Sequence, residues 1–161
     1  PDDYQILIDR FIKSLNISKD DGLLLVGHGG LGSGNSSYGN LQFKLIRNGL
    51  TNVRIAVLEN APYVADVAMP WEWLDGKRPN TIYVHPLLLV LGDHAQNDLF
   101  GDEEDSVINE LADYGYEVKP IHSALGEYEA IQDIFRQHVQ DCIDDLYGKR
   151  SPHRPTIPNI K

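Results

Sequence analysis

Leu87-Leu88-Leu89-Val90-Leu91 is the most apolar run in the chain, and Thr81-Ile82-Tyr83-Val84 stands just ahead of it. A short run that is apolar at every position predicts a strand buried on both faces of a parallel sheet. Two other runs have the same character. Leu23-Leu24-Leu25-Val26-Gly27 leads into His28, and Val53-Arg54-Ile55-Ala56-Val57-Leu58 leads into Glu59. The third leads into Gly92-Asp93-His94-Ala95-Gln96-Asn97-Asp98. Open α/β sheets bind ligands outside the carboxyl ends of their strands. Two imidazoles and a carboxylate brought to that edge form a donor set suited to a divalent metal.

The segments between the runs have helical spacing. Tyr4, Ile8, Phe11, Ile12 and Leu15 share one apolar face, as do Tyr38, Leu41, Leu45 and Ile46 before the Asn48-Gly49 stop. Residues 29–37 are too rich in Gly and Ser for regular structure, and Asn35 or Ser36 is expected to cap the helix that follows. Ala61-Pro62 predicts a helix start, with Val64, Val67 and Ala68 inward and a break at Pro70. Asp102-Glu103-Glu104-Asp105 predicts the acidic first turn of a helix through Val107, Ile108, Leu111 and Tyr114. Tyr116 to Ile121 reads as a fourth strand. A last helix carries Tyr128, Ile131, Phe135, Val139, Cys142 and Leu146 on its inner face. Strict alternation of this kind predicts a three-layer αβα domain over residues 1–148, with a four-stranded, mainly parallel sheet. The proline-rich 149–161 is expected to be an extended or disordered tail.

Among 161 residues the formal net charge is −10, which argues against a nucleic-acid partner, since phosphate binding needs a basic surface. The single cysteine, Cys142, cannot form an internal disulfide, and its register predicts a core position. No run reaches the eighteen or so apolar residues of a membrane span, and no signal peptide is visible, so the expected setting is cytoplasmic. Neither G-x-G-x-x-G nor G-x-x-x-x-G-K-[ST] occurs, so no nucleotide is expected.

Each candidate has a plainer reading beside the chemical one. The glycines around His28 either let a ligand approach the backbone or serve a turn. Glu59 is either a donor or the cap of the helix near Pro62. Asp93 and Asp98 suit His94 as orienting partners of a liganding imidazole; a surface loop histidine is the alternative. His85, inside a strand before Pro86, reads as packing, and His122 as peripheral to the edge. His138 and His153 read as surface residues. The 102–105 acids are a solvated helix start or a weak metal antechamber. Trp71 and Trp73 line a pocket for a flat aromatic ligand or pack in the core. No nucleophile elbow supports a hydrolase.

Gly27-His28-Gly29, the Val57-Leu58-Glu59 exit with Pro62, Pro86 to Val90, Gly92-Asp93-His94-Ala95 with Asn97-Asp98, Gly101 to Ser106 and Leu125-Gly126-Glu127 together resemble the anaerobic, type II cobalt chelatases of corrin biosynthesis, the sirohydrochlorin cobaltochelatases. The resemblance runs from about Leu23 to about His138 and is to the second half of a two-half fold closed around a cleft. It implies that His28, Glu59 and His94 hold the metal or act in catalysis. The implied reaction is insertion of Co²⁺, or Fe²⁺ or Ni²⁺, into sirohydrochlorin or a related tetrapyrrole without ATP. It implies a homo-oligomer or a separate first half as partner. A tetrapyrrole or metal carrier on the same scaffold is the alternative, and a structural half-domain is a third. The loop after His28 departs from the family pattern in its Gly and Ser content and in lacking a further histidine.

Overall fold

The computed structural model describes residues 2–69, 71 and 77–149. Pro70, Trp73 and all but the first residue of the expected tail lie outside them. The chain opens with α1 (Asp3–Ile6), a π-helical turn Leu7–Phe11 and a 3₁₀ turn Ile12–Leu15, then β1 (Gly22–Gly29) and α2 (Ser36–Arg47). Next come β2 (Val53–Glu59), α3 (Val64–Ala68), β3 (Thr81–Pro86) and α4 (Asp93–Phe100). The chain continues with α5 (Val107–Asp113), β4 (Glu117–Pro120) and α6 (Glu129–Leu146). The four strands lie in the order β2-β1-β3-β4, and every pair is parallel.

Alternation along the strands builds two cores. Leu24, Val26, Ala56, Ile82 and Val84 pack on α3, Leu99 of α4, and Val107 and Leu111 of α5. Leu23, Leu25, Val53 and Ile55 face the other way, onto Ile8, Phe11, Leu41, Leu45 and Ile131. The expected three-layer αβα architecture is therefore present. No helix among the described residues is long and apolar enough to cross a membrane.

The most apolar run is not a strand. β3 ends at Pro86, and residues 87–91 form a loop. β3 keeps to β1 only as far as the Leu87 N–H on Val26 O (2.7 Å), and β4 stops at Pro120, so the chain leaves the sheet at this point. The loop's carbonyls are taken instead by Leu125 N–H on Leu88 O (2.8 Å) and Gly126 N–H on Leu89 O (3.0 Å). Leu87, Leu88 and Leu91 pack on the two cores, while Leu89 and Val90 are exposed. The run owes its character to covering the end of the sheet rather than to pleating.

Other departures have local causes. α3 starts at Val64, where Asp66 accepts the Tyr63 N–H at 2.9 Å, so Pro62 belongs to the turn before it and Glu59 caps nothing. Asp102 to Asp105 form a turn ahead of α5, and the preceding helix α4 takes up residues that read as loop. Trp71 is core: its ring lies over the buried Arg54 guanidinium (4.9 Å), whose Nη2 donates to Trp71 O at 2.9 Å.

The inner face of α6 holds only in its first half. Ile131 is buried, yet Phe135, Val139, Cys142 and Leu146 are exposed. The opening helical segment runs antiparallel beside α6: Arg10 pairs with Asp133 at 2.8 Å and Asp3 with His138 at 3.0 Å. Cys142 lies past the Asp3–His138 pair and is surface rather than core.

His85 is packing, as its position implies. It is fully buried between Phe11 and Tyr128. Nδ1 lies 2.7 Å from Pro86 O, which can only accept, so Nδ1 carries the proton. Nε2 then accepts from the Tyr128 hydroxyl (3.0 Å), which accepts in turn from Ser123 (2.7 Å). Burial holds the imidazole below the usual histidine pKa, against smaller opposing effects from Pro86 O and Glu127. A folded-state pKa below the unfolded one gives stability that is complete above about pH 6.5 and is lost as pH falls through the folded value. Urea midpoints are expected to drop from pH 8 to pH 5 more steeply in the native chain than in His85→Gln; equal slopes would contradict the assignment.

Candidate functional site

The Gly27-His28-Gly29 motif works through its neighbours. A side chain at Gly27 would overlap the Tyr38 ring, whose hydroxyl accepts the Gly29 N–H at 3.4 Å. Gly29 has φ +81°, and a Cβ there would overlap the Glu59 carbonyl oxygen. Gly29 and Glu59 are ladder partners at the carboxyl ends of β1 and β2. The two glycines thus bring α2 and β2 against the strand end, and His28 stands between them. This is close strand packing, not a phosphate cradle.

His28 Nε2 lies 4.0 Å from Glu59 Oε1, with the side chains 65% and 59% exposed. The pair opens on a cleft of about 260 Å³ lined also by Leu58, Asn97, Asp98, Glu103 and Asp105. Four carboxylates around one imidazole attract cations into this space. Asp98, expected beside His94, and two of the 102–105 acids belong to this wall.

His94 sits exposed in the first turn of α4, carried there by the 87–92 loop rather than by a strand end. Among the described residues no three His, Cys, Asp or Glu side chains come together as a group able to hold an ion. The structure therefore unites His28 with Glu59 and leaves His94 outside that pair. His122, just past β4, packs its ring on Phe100 (4.5 Å).

Asn60, which the sequence does not single out, and Asn35, expected as a helix cap, secure the edge. Asn60, with φ +66°, donates to Gly30 O at 2.9 Å. Asn35 donates to Ala61 O (3.0 Å) and Glu59 O (3.4 Å) instead of capping α2. The available signal was an Asn directly after a strand, since Asn tolerates the left-handed region. A larger groove, about 540 Å³, lies between α1 and α2 and is lined by Tyr4, Phe43, Lys44 and Arg47 among others. Its Lys44 is held by Asp2, and it lies away from the strand ends.

Fold and site together define a parallel α/β domain with an imidazole–carboxylate pair in an acid-lined cleft at its carboxyl edge. Residues 1–144 match the family model described as cobalt chelatase (CbiK), and the chain belongs to that family. It is 26% identical over 143 residues to the sirohydrochlorin cobaltochelatase of Salmonella typhimurium, covering 88% of this chain and 53% of that protein. It is 28% identical over 127 residues to the sirohydrochlorin cobaltochelatase CbiKC of Nitratidesulfovibrio vulgaris, covering 79% and 44%. The chain thus spans about half the length of these relatives. Its fold is similar to that of the putative cobalamin (vitamin B12) biosynthesis CbiX protein of Marinobacter aquaeolei VT8. That likeness has TM-score 0.60 and 17% identity and covers 79% of this chain and 98% of that one.

Proposed function

We propose that the cleft at the carboxyl edge inserts Co²⁺ into sirohydrochlorin without a nucleotide. The observation that carries this reading is the His28–Glu59 pair on neighbouring strand ends within an acid-lined cleft, in a chain of the cobalt chelatase family. A neutral imidazole and one carboxylate suit a borderline divalent ion, and Fe²⁺ or Ni²⁺ fits the same donors. An open, incomplete ligand set is what a delivery site needs, because the ion must leave for the macrocycle. His94 joins the ion from the first turn of α4 once metal and macrocycle fill the space between.

Metallation exchanges Co²⁺ for two pyrrole protons. His28, released as the ion passes into the macrocycle, accepts one of them as general base, and solvent water takes the other. Glu59 orients it and supplies negative charge to the incoming ion. The acids Asp98, Glu103 and Asp105 draw the hydrated cation toward the pair.

The test is an absorbance time course of sirohydrochlorin with Co²⁺, set against a protein-free control for spontaneous insertion. The chain is expected to accelerate the change, and His94→Ala to lose that acceleration with an unaltered circular dichroism spectrum. Full activity in His94→Ala would remove His94 from the site. The two-group arrangement also favours a second reading, a carrier that binds tetrapyrrole or metal without joining them. It predicts tetrapyrrole binding with no metallated product.

A further inference from the structure

We propose that Tyr128, held between His85 and Ser123, is a positioning residue that fixes the 87–92 loop and so the place of His94. This inference rests on the metal reading above, in which His94 joins the ion. Tyr128 Oη bridges two segments far apart in sequence, 3.0 Å from His85 Nε2 and 2.7 Å from Ser123 Oγ. The other ring nitrogen of His85 donates to Pro86 O at 2.7 Å, and Pro86 is the last residue of β3. The network grips the chain where it leaves the sheet and joins that point to the turn 123–128.

That turn holds the loop further along. Its Leu125 and Gly126 N–H groups take Leu88 O and Leu89 O, and a Cβ at Gly126 would lie 2.6 Å from Leu89 O, so the two backbones are in contact. The turn is itself closed by Ala124 N–H on Glu127 Oε1 (2.7 Å) and by Gln132 Nε2 on Gly126 O (2.9 Å). Leu87 and Tyr128 belong to the core on one face of the sheet, Leu88 and Leu91 to the core on the other. The loop thus crosses the end of the sheet from the network to α4, whose first turn bears His94.

Cohesion alone does not call for these hydroxyls. The Tyr128 ring packs edge-on against Phe11 at 4.6 Å, where a phenyl ring would pack as well and need no partner. A buried polar network with every member satisfied specifies one arrangement of the segments it joins. Here those segments are the root of the loop and the turn that straps its middle. A metal ligand carried on a loop needs that one arrangement, since a misplacement of about 1 Å costs up to about 100-fold in rate.

Tyr128→Phe keeps the ring and removes the bridge. The full chain carrying it is expected to insert Co²⁺ into sirohydrochlorin with kcat about tenfold or more below native, an unchanged KM for sirohydrochlorin and an unaltered circular dichroism spectrum. Amide hydrogen exchange at Leu125, Gly126 and Gln96 should quicken while exchange in β1 stays native. A hydroxyl with only a structural role would speed exchange in β1 as well, or nowhere, and would leave kcat per folded chain unchanged. Ser123→Ala removes only the link to the turn and should shift kcat and the same amides in the same direction; it decides the question if Tyr128→Phe fails to fold. Native kcat in the folded variant, or a loss confined to KM, would overturn this proposal alone, provided His94→Ala loses the acceleration. Full activity in His94→Ala would overturn the role of His94 and this proposal with it.

Discussion

A Gly29→Ala chain is expected to lose about 2–4 kcal/mol of folding stability and the His28–Glu59 geometry in one step. Gly29 sits at φ +81°, where an L side chain costs about 1–2 kcal/mol in its own right. The added methyl would also overlap the backbone oxygen of Glu59, its ladder partner on β2. A backbone atom cannot swing aside as the end of a flexible side chain does. Either the β1–β2 ladder opens at its carboxyl end, or Glu59 moves away from His28. The urea midpoint should fall at unchanged slope, and Co²⁺ affinity measured by calorimetry should fall with it. Gly92→Ala is the matched control, because a Cβ there meets nothing within 4 Å. If Gly29→Ala keeps native stability and native affinity, the glycine is not what sets the pair.

The second large effect separates chemistry from stability. His28→Ala is expected to lower the rate of metal insertion by about 10²-fold or more, on the scale of a lost general base. Its side chain is mostly exposed, so the folding free energy should stay within about 0.5 kcal/mol of native. Glu59→Gln keeps the shape and removes the charge, so it should weaken Co²⁺ binding while sirohydrochlorin binding persists. A His28→Ala chain that retains the native rate would show that the imidazole neither holds the ion nor takes the proton.

The layered fold was legible because a strand buried on both faces and an amphipathic helix leave different residue patterns. Leu23 to Val26 and Val53 to Val57 carry the strand pattern, which puts His28 and Glu59 at one edge of the sheet, and the β1–β2 ladder makes them neighbours. Residues 87–91 misled for a physical reason. Covering the end of a sheet demands the same apolar side chains as joining it, and what tells them apart is the partner: Leu88 O and Leu89 O are taken by Leu125 and Gly126, far away in the sequence. Cys142 misled in the same manner, since an apolar stripe shows that something is to be covered but not whether this chain covers it. His94 could be placed near the edge but not within the pair, because its position depends on how the 87–92 loop is strapped by Leu125 and Gly126. Asn35 and Asn60 act through side-chain bonds to backbone twenty or more residues away, which no local spacing reveals.

The central claim is that this chain turns over as a metal-inserting enzyme. It is tested most directly by counting product per chain, with sirohydrochlorin and Co²⁺ each in tenfold excess and spontaneous insertion subtracted. Several equivalents of cobalt-sirohydrochlorin per chain, lost in His28→Ala, is the predicted result. One equivalent or less from the native chain, with sirohydrochlorin bound but not metallated further, would contradict the claim and leave a carrier.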